Sequence, residues 1–190
     1  AELFRNDPIL ALQYNITEGY TPLREFLKGW MTEKGCFHKE FDDLIVTSGG
    51  QQANELSCKV LLNEGDTLLC ESPSFIGSLN AFRSYNVNLV GVDMEEDGID
   101  LNKLENALKT EKNVKLLYLI PNFQNPTGRT MSLAKRKAVY ELACKYDFII
   151  LEDDPYGELR FAGENVPTIK SLDTEGRVIY SSTFSKLISS

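Results

Sequence analysis

The sequence predicts an α/β fold, a three-layer α/β/α sandwich with a mostly parallel sheet. Three observations carry that prediction. Short runs of continuous apolar residues alternate with segments of helical periodicity along the 190 residues. The runs are apolar throughout rather than at every second position, as strands covered on both faces require. Turn residues, above all Gly, Asn and Asp, separate the elements. The length suits one domain with a hydrophobic core, and 42% hydrophobic with 25% charged residues is a soluble, globular composition.

The elements follow in order. Thr21 is an N-cap candidate and Pro22 fits the first turn of a helix. Its apolar face is Leu23, Phe26, Leu27, Trp30 and Met31, and Gly35 stops it. Leu44–Thr47 reads as a short buried strand, Ser48-Gly49-Gly50 as a tight turn and Gln51–Asn63 as a helix. Thr67–Glu71 and Val87–Val92 read as strands around a helix over Phe75–Arg83. Asp100 caps a helix bearing Leu101, Leu104 and Leu108. Val114–Ile120 is the most apolar strand, and Ser132 caps a helix from Leu133 to about Tyr146. Phe148–Leu151 and Arg177–Ser181 are the last strands, with a longer excursion over 157–176 between them.

Composition excludes several function classes. A net charge of −8 argues against nucleic-acid and anionic-membrane partners, which need a basic face. No apolar run approaches the roughly 20 residues of a membrane helix, and Ala1–Leu12 has no basic-then-apolar leader pattern. Cys36, Cys58, Cys70 and Cys144 form no CxxC pair and read as reduced packing residues of a cytoplasmic protein. His38 is the only histidine, in a polar loop where a solvated side chain is expected, so triads, Cys-His dyads and multi-histidine metal sites lack material. GxGxxG, GxxxxGK[ST] and GxSxG are absent.

In open α/β sheets ligands bind beyond the carboxyl ends of the strands. Five segments should therefore gather at one edge: Ser48–Gln52, Ser72–Phe75, Pro121–Gly128, Glu152–Tyr156 and Ser182–Lys186. The first is a glycine turn into a helix N-terminus, an anion site or an ordinary turn. Phe75 suits stacking on a flat ring, or the core. Asn125-Pro126-Thr127-Gly128 is a β-turn sequence whose Asn125 suits a ligand oxygen. Glu152-Asp153-Asp154 crowds three carboxylates, which asks for a shared proton or a cation. Either Mg²⁺ or Ca²⁺ or a protonated pyridine nitrogen answers that need. Ser182-Thr183-Phe184-Ser185-Lys186 offers hydroxyls for a phosphate and an amine for an aldehyde.

Taken together, these segments resemble the fold type I, class I/II aminotransferases, from about Leu12 to Ser190. Asn125-Pro126-Thr127-Gly128 and Ser182–Lys186 are the most specific motifs. Ser48–Ala53 and Glu152–Phe161 narrow the likeness to the branch holding 2-aminoadipate, kynurenine and aromatic aminotransferases. The resemblance implies the large domain of a pyridoxal-5'-phosphate (PLP) transferase, which moves an amino group between an amino acid and a 2-oxo acid through a Schiff base on Lys186. It implies catalytic roles for Lys186, Asp153 and Tyr156. Asp153 pairs with the pyridine nitrogen, because the family places its tyrosine three residues after that aspartate. Asn125 and Tyr156 bond the ring's phenolic oxygen. Phe75 stacks where many relatives carry tyrosine. Gly50, Gln51, Thr183 and Ser185 hold the phosphate, and Tyr14 reaches the phosphate of the partner subunit in a homodimer. Family members continue past the lysine with a phosphate-binding arginine and a smaller domain, so residues 1–190 are expected to be part of a longer enzyme, inactive alone.

Three other functions share these residues. A transcription regulator with an aminotransferase-like effector domain carries a winged helix ahead of this fold, and its loops tend to differ from Pro-Asn-x-Gln-Asn-Pro-Thr-Gly. A C–S lyase or cyclopropane-forming synthase uses the same fold. A metal-binding non-enzyme would be built on Glu152–Asp154.

Overall fold

The computed structural model describes residues 2–14 and 16–188. Its centre is a six-stranded sheet in the order β3-β2-β1-β4-β5-β6. The strands are β1 (Thr67–Ser72), β2 (Asn88–Glu95), β3 (Gly98–Ile99), β4 (Val114–Leu119), β5 (Ile149–Asp153) and β6 (Val178–Ser181). All pairings are parallel except the short antiparallel β2–β3 edge. The helices are α1 (Glu2–Asn6), α2 (Pro8–Leu12), α3 (Thr21–Glu33), α4 (Gly50–Leu61), α5 (Ile76–Arg83), α6 (Leu101–Thr110) and α7 (Leu133–Tyr146).

Strand alternation explains the three layers. In β1, Leu68 and Cys70 face one side with Leu116 and Tyr118 of β4, against Cys58 of α4 and Phe82 of α5. Leu69, one residue out of phase, faces the other side with Leu117 and Leu119, against Leu104 and Leu108 of α6 and Val139 and Ala143 of α7. β1, β4, β5 and β6 each feed both cores, which is why their sequences carry apolar residues without alternation. Two of the three helix caps read from sequence are made. Asp100 accepts from the Asn102 and Lys103 amides, and the Ser132 side chain accepts from the Lys135 amide.

Several sequence expectations are corrected. Leu44–Thr47 is extended chain outside the sheet: Ile45 is exposed, and the backbone bond shown for it runs from the Val46 N–H to the Glu18 carbonyl. Thr21 is the first helical residue rather than the cap, which is Tyr20 without a side-chain bond. Phe26 is 68% exposed while Arg24 is buried, because Arg24 donates to the Leu44 carbonyl and to Asp43. His38 is half-buried, stacked on Phe41, with Nε2 on the Lys170 carbonyl oxygen. The 157–176 excursion has a buried part: Ile169 and Lys170 donate their amides to the Glu152 carboxylate. All four cysteines are free thiols. Among the described residues, no helix is long and apolar enough to cross a membrane.

Candidate active site

The parallel strands all end on one edge, and four of the five expected segments are joined there by direct contacts. α4 starts at Gly50 behind Gly49, whose φ of 84° suits glycine and which supplies no side-chain cap. The first N–H groups of a 12-residue helix are thus left for a ligand. A Cβ built on Gly50 would lie 4.0 Å from the Thr183 Cβ, so the turns before α4 and after β6 face each other. Thr183 Oγ1 accepts from the Ser185 amide and bonds its hydroxyl at 3.1 Å. Gln51 Nε2 donates to the Gly77 carbonyl at 3.1 Å. The Phe75 ring lies so close over Gly77 that a Cβ there would come within 2.6 Å of it.

Asp153 is the last residue of β5, 7% exposed, on the α4 side of the sheet. Its Oδ2 accepts from Asn54 Nδ2 at 2.8 Å and from the Tyr118 hydroxyl at 2.7 Å. Burial pushes its carboxyl above the ordinary range; the two bonds pull it down, and the neighbouring Asp154 charge pushes it up. Asn54 stands one helical turn after Gly50, so the open helix N-terminus and the buried carboxylate are about 6 Å apart along the helix axis.

The three adjacent carboxylates do not crowd one point, because strand alternation sends them to opposite faces. Glu152, fully buried, takes the two amides of 169–170, and burial lifts its carboxyl to about 7. Asp154 accepts from Asn122 Nδ2 and from the Tyr180 hydroxyl, both at 3.0 Å. Among the described residues no three His, Cys, Asp or Glu side chains are grouped to hold a metal ion.

The remaining expected residues lie at the rim. Asn125 and Tyr156 line one open groove of about 510 Å³, with Phe123, Gln124, Pro126 and Phe161 among its walls. Lys186 is exposed and ends a short 3₁₀ turn, Phe184–Lys186, directly after Ser185. Tyr14 is 97% exposed.

Sequence reading missed the supporting polar residues. Asn54, Ser78 and Tyr118 gather around Asp153, and Asn122 is held by Arg136, which is itself fully buried. Gln124 donates to Pro73 O and to Glu71, and its Oε1 takes the Thr127 amide and hydroxyl. A cue existed for two of them. Asn54 interrupts the apolar face of an amphipathic helix, and a tyrosine inside a buried strand needs a partner for its hydroxyl.

The residues present fit a small flat group with an anion at one end and a basic nitrogen at the other. Among the described residues, the buried side-chain polar atoms without a partner are Asn54 Oδ1, Ser74 Oγ, Ser181 Oγ and Arg160 Nε. The first three lie on α4 beside Asp153, just after β1 and at the end of β6, all on the ligand edge. Buried polar atoms are seldom left unpaired without a ligand or water to meet them.

The family model for aminotransferase class I and II matches residues 10–190. The chain is 45% identical over 98% of its length to aromatic-amino-acid aminotransferase 1 of Thermococcus litoralis, of which it covers 46%. The solved kynurenine aminotransferase of Pyrococcus horikoshii, in complex with PMP, matches with a TM-score of 0.93 at 44% identity, over 98% of this chain and 47% of that one. The α-aminoadipate aminotransferase of Thermus thermophilus, complexed with N-(5'-phosphopyridoxyl)-L-leucine, gives a TM-score of 0.88 at 38% identity, over 99% and 47%. The chain spans about half the length of these relatives.

Proposed function

This chain belongs to the class I and II aminotransferases, and from that premise we propose that the protein moves an amino group between an amino acid and a 2-oxo acid with PLP as cofactor. One observation carries the reading. A buried carboxylate, Asp153, lies one helical turn from the uncapped N-terminus at Gly50, and Lys186 follows the hydroxyl pair that faces that terminus.

When bound, PLP supplies an electron sink for negative charge developing at the substrate's α-carbon. The chain's own residues hold it and handle the proton. The N–H groups at Gly50 and Gln51, with the Thr183 and Ser185 hydroxyls, would hold the phosphate. Asp153 would set its charge against the ring nitrogen, and Phe75 would stack on the ring. Asn125 and Tyr156 would donate to the phenolic oxygen. Lys186 would hold the aldehyde and, once freed by the substrate amine, would carry the proton that leaves the substrate α-carbon. Asp153, Tyr156 and Lys186 are therefore the catalytic residues of this reading.

We read residues 1–190 as the cofactor-binding large domain without its C-terminal part, a reading supported by the half-length match to its relatives. The whole protein is taken as a cytoplasmic homodimer in which Tyr14, exposed here, reaches the partner's phosphate site.

The test is product analysis on the full-length protein with PLP and 2-oxoglutarate, offering tyrosine, kynurenine, 2-aminoadipate and alanine in turn. The expected outcome is glutamate formed in step with the cognate 2-oxo acid. Bound PLP with ammonia or thiol release and no glutamate would replace this reaction with a lyase.

A further inference from the structure

We propose that Asn54, Ser78 and Tyr118 are positioning residues for Asp153: Asn54 and Tyr118, tied together through Ser78, hold Oδ2 and leave Oδ1 as the oxygen that meets the ligand's ring nitrogen. The inference rests on the function proposed above but concerns residues that reading does not use.

The three residues come from α4, α5 and β4, and they are 2%, 0% and 0% exposed. Their bonds can be accounted for proton by proton. The Asn54 amide has two N–H groups, one on Asp153 Oδ2 at 2.8 Å and one on Ser78 Oγ at 3.0 Å. The Tyr118 hydroxyl has one proton and two oxygens in reach, Asp153 Oδ2 at 2.7 Å and Ser78 Oγ at 3.0 Å. The closer, charged acceptor takes it. Ser78 Oγ accepts from Asn54 and lies within reach of the Tyr118 proton. Two donors, Asn54 and Tyr118, thus converge on Oδ2, with Ser78 Oγ tying the two together.

The arrangement discriminates between protonation states. A proton on Oδ2 would face the Asn54 N–H and displace the Tyr118 proton from its carboxylate acceptor. Only Oδ1 is free to share a proton with a ligand. The Asn54 amide orientation is fixed by the same logic, because reversing it would set its carbonyl oxygen against the carboxylate. As it stands, Asn54 Oδ1 is buried without a partner, so the amide serves Asp153 rather than its own pairing. The charged groups around this network are few. Asp154 acts on Asp153 from the residue just past β5, and Glu71 acts on Tyr118 from β1.

The test compares PLP with its carbocyclic analogue, in which C–H replaces the ring nitrogen, by measuring apparent Kd on the full-length protein. The wild type is expected to prefer PLP. Tyr118→Phe removes one charge-assisted bond and is expected to weaken PLP about tenfold while moving the analogue by less than about twofold. Ser78→Ala removes the oxygen that ties Asn54 to Tyr118 while leaving both bonds to Oδ2, and should weaken PLP by about threefold with the same selectivity; it also serves if Tyr118→Phe does not fold. Equal losses for both ligands, or no loss for either, would overturn the clamp. A wild type that binds both ligands equally would remove the nitrogen-pairing role of Asp153 itself, and the clamp with it.

Discussion

Glu71→Gln should make the protein's stability less sensitive to alkaline pH, by an amount the structure sets. Glu71 is 2% exposed near the end of β1, and its Oε2 accepts from the Ile120 amide at 3.0 Å and from Gln124 Nε2 at 3.3 Å. Neither donor is a cation, so burial dominates and pushes the carboxyl up to about 8 from 4.5. Across that window the folded chain keeps a proton that the unfolded chain has lost. The contribution to stability is therefore full below 4.5 and is lost as pH rises through 8. Between pH 5.5 and 8.5 the loss is about 3 kcal/mol. Glutamine keeps a carbonyl oxygen for the Ile120 amide and cannot ionise. Urea unfolding of the cofactor-free protein at pH 5.5, 7.0 and 8.5 should show the variant gaining on the wild type by about 3 kcal/mol over that range, at constant m. Parallel pH profiles for the two proteins would refute the reasoning, because the other buried carboxylates, Glu152 and Asp153, titrate in both.

Two further substitutions test the scaffold. Leu117→Ala empties a fully buried position between β4 and the α6–α7 layer and should cost about 2–5 kcal/mol in the same unfolding experiment. Asp100→Ala removes the acceptor for the Asn102 and Lys103 amides and should cost about 1 kcal/mol, read as a lowered urea midpoint without a change in m.

The strands and their helices were legible because local and long-range preferences agree there. β4 is apolar throughout since its two faces meet two different cores, and Asp100 and Ser132 cap their helices by bonds within three residues. β3 was not legible: two residues carry no periodicity, and Gly98 sits at φ 121° against Met131, a contact set by the loop after β4. Leu44–Thr47 misled because an apolar run says nothing about whether a neighbouring strand exists to pair with it. Buried charge was the main omission. Arg136 satisfies its guanidinium on the Met131, Val166, Pro167 and Pro121 carbonyls and on Asn122 Oδ1, and Lys170 pairs with Asp42, 128 residues away. Most of these partners are distant in sequence, so nothing in the local sequence marks Arg136 and Lys170 as buried. For the candidate site, the order of segments after the strands located the edge. The Asn54–Ser78–Tyr118 support of Asp153 joins α4, α5 and β4 and exists only once they pack.

The central claim is that Lys186 carries the cofactor at this edge. The full-length protein is incubated with PLP, reduced with borohydride and digested, and the modified lysine is located by mass spectrometry. The account predicts a single dominant label on Lys186, lost in Lys186→Ala while the far-ultraviolet circular dichroism is unchanged, since the side chain is exposed and ends only a short turn. A folded protein labelled evenly over its surface lysines, or equally labelled after Lys186→Ala, would contradict it.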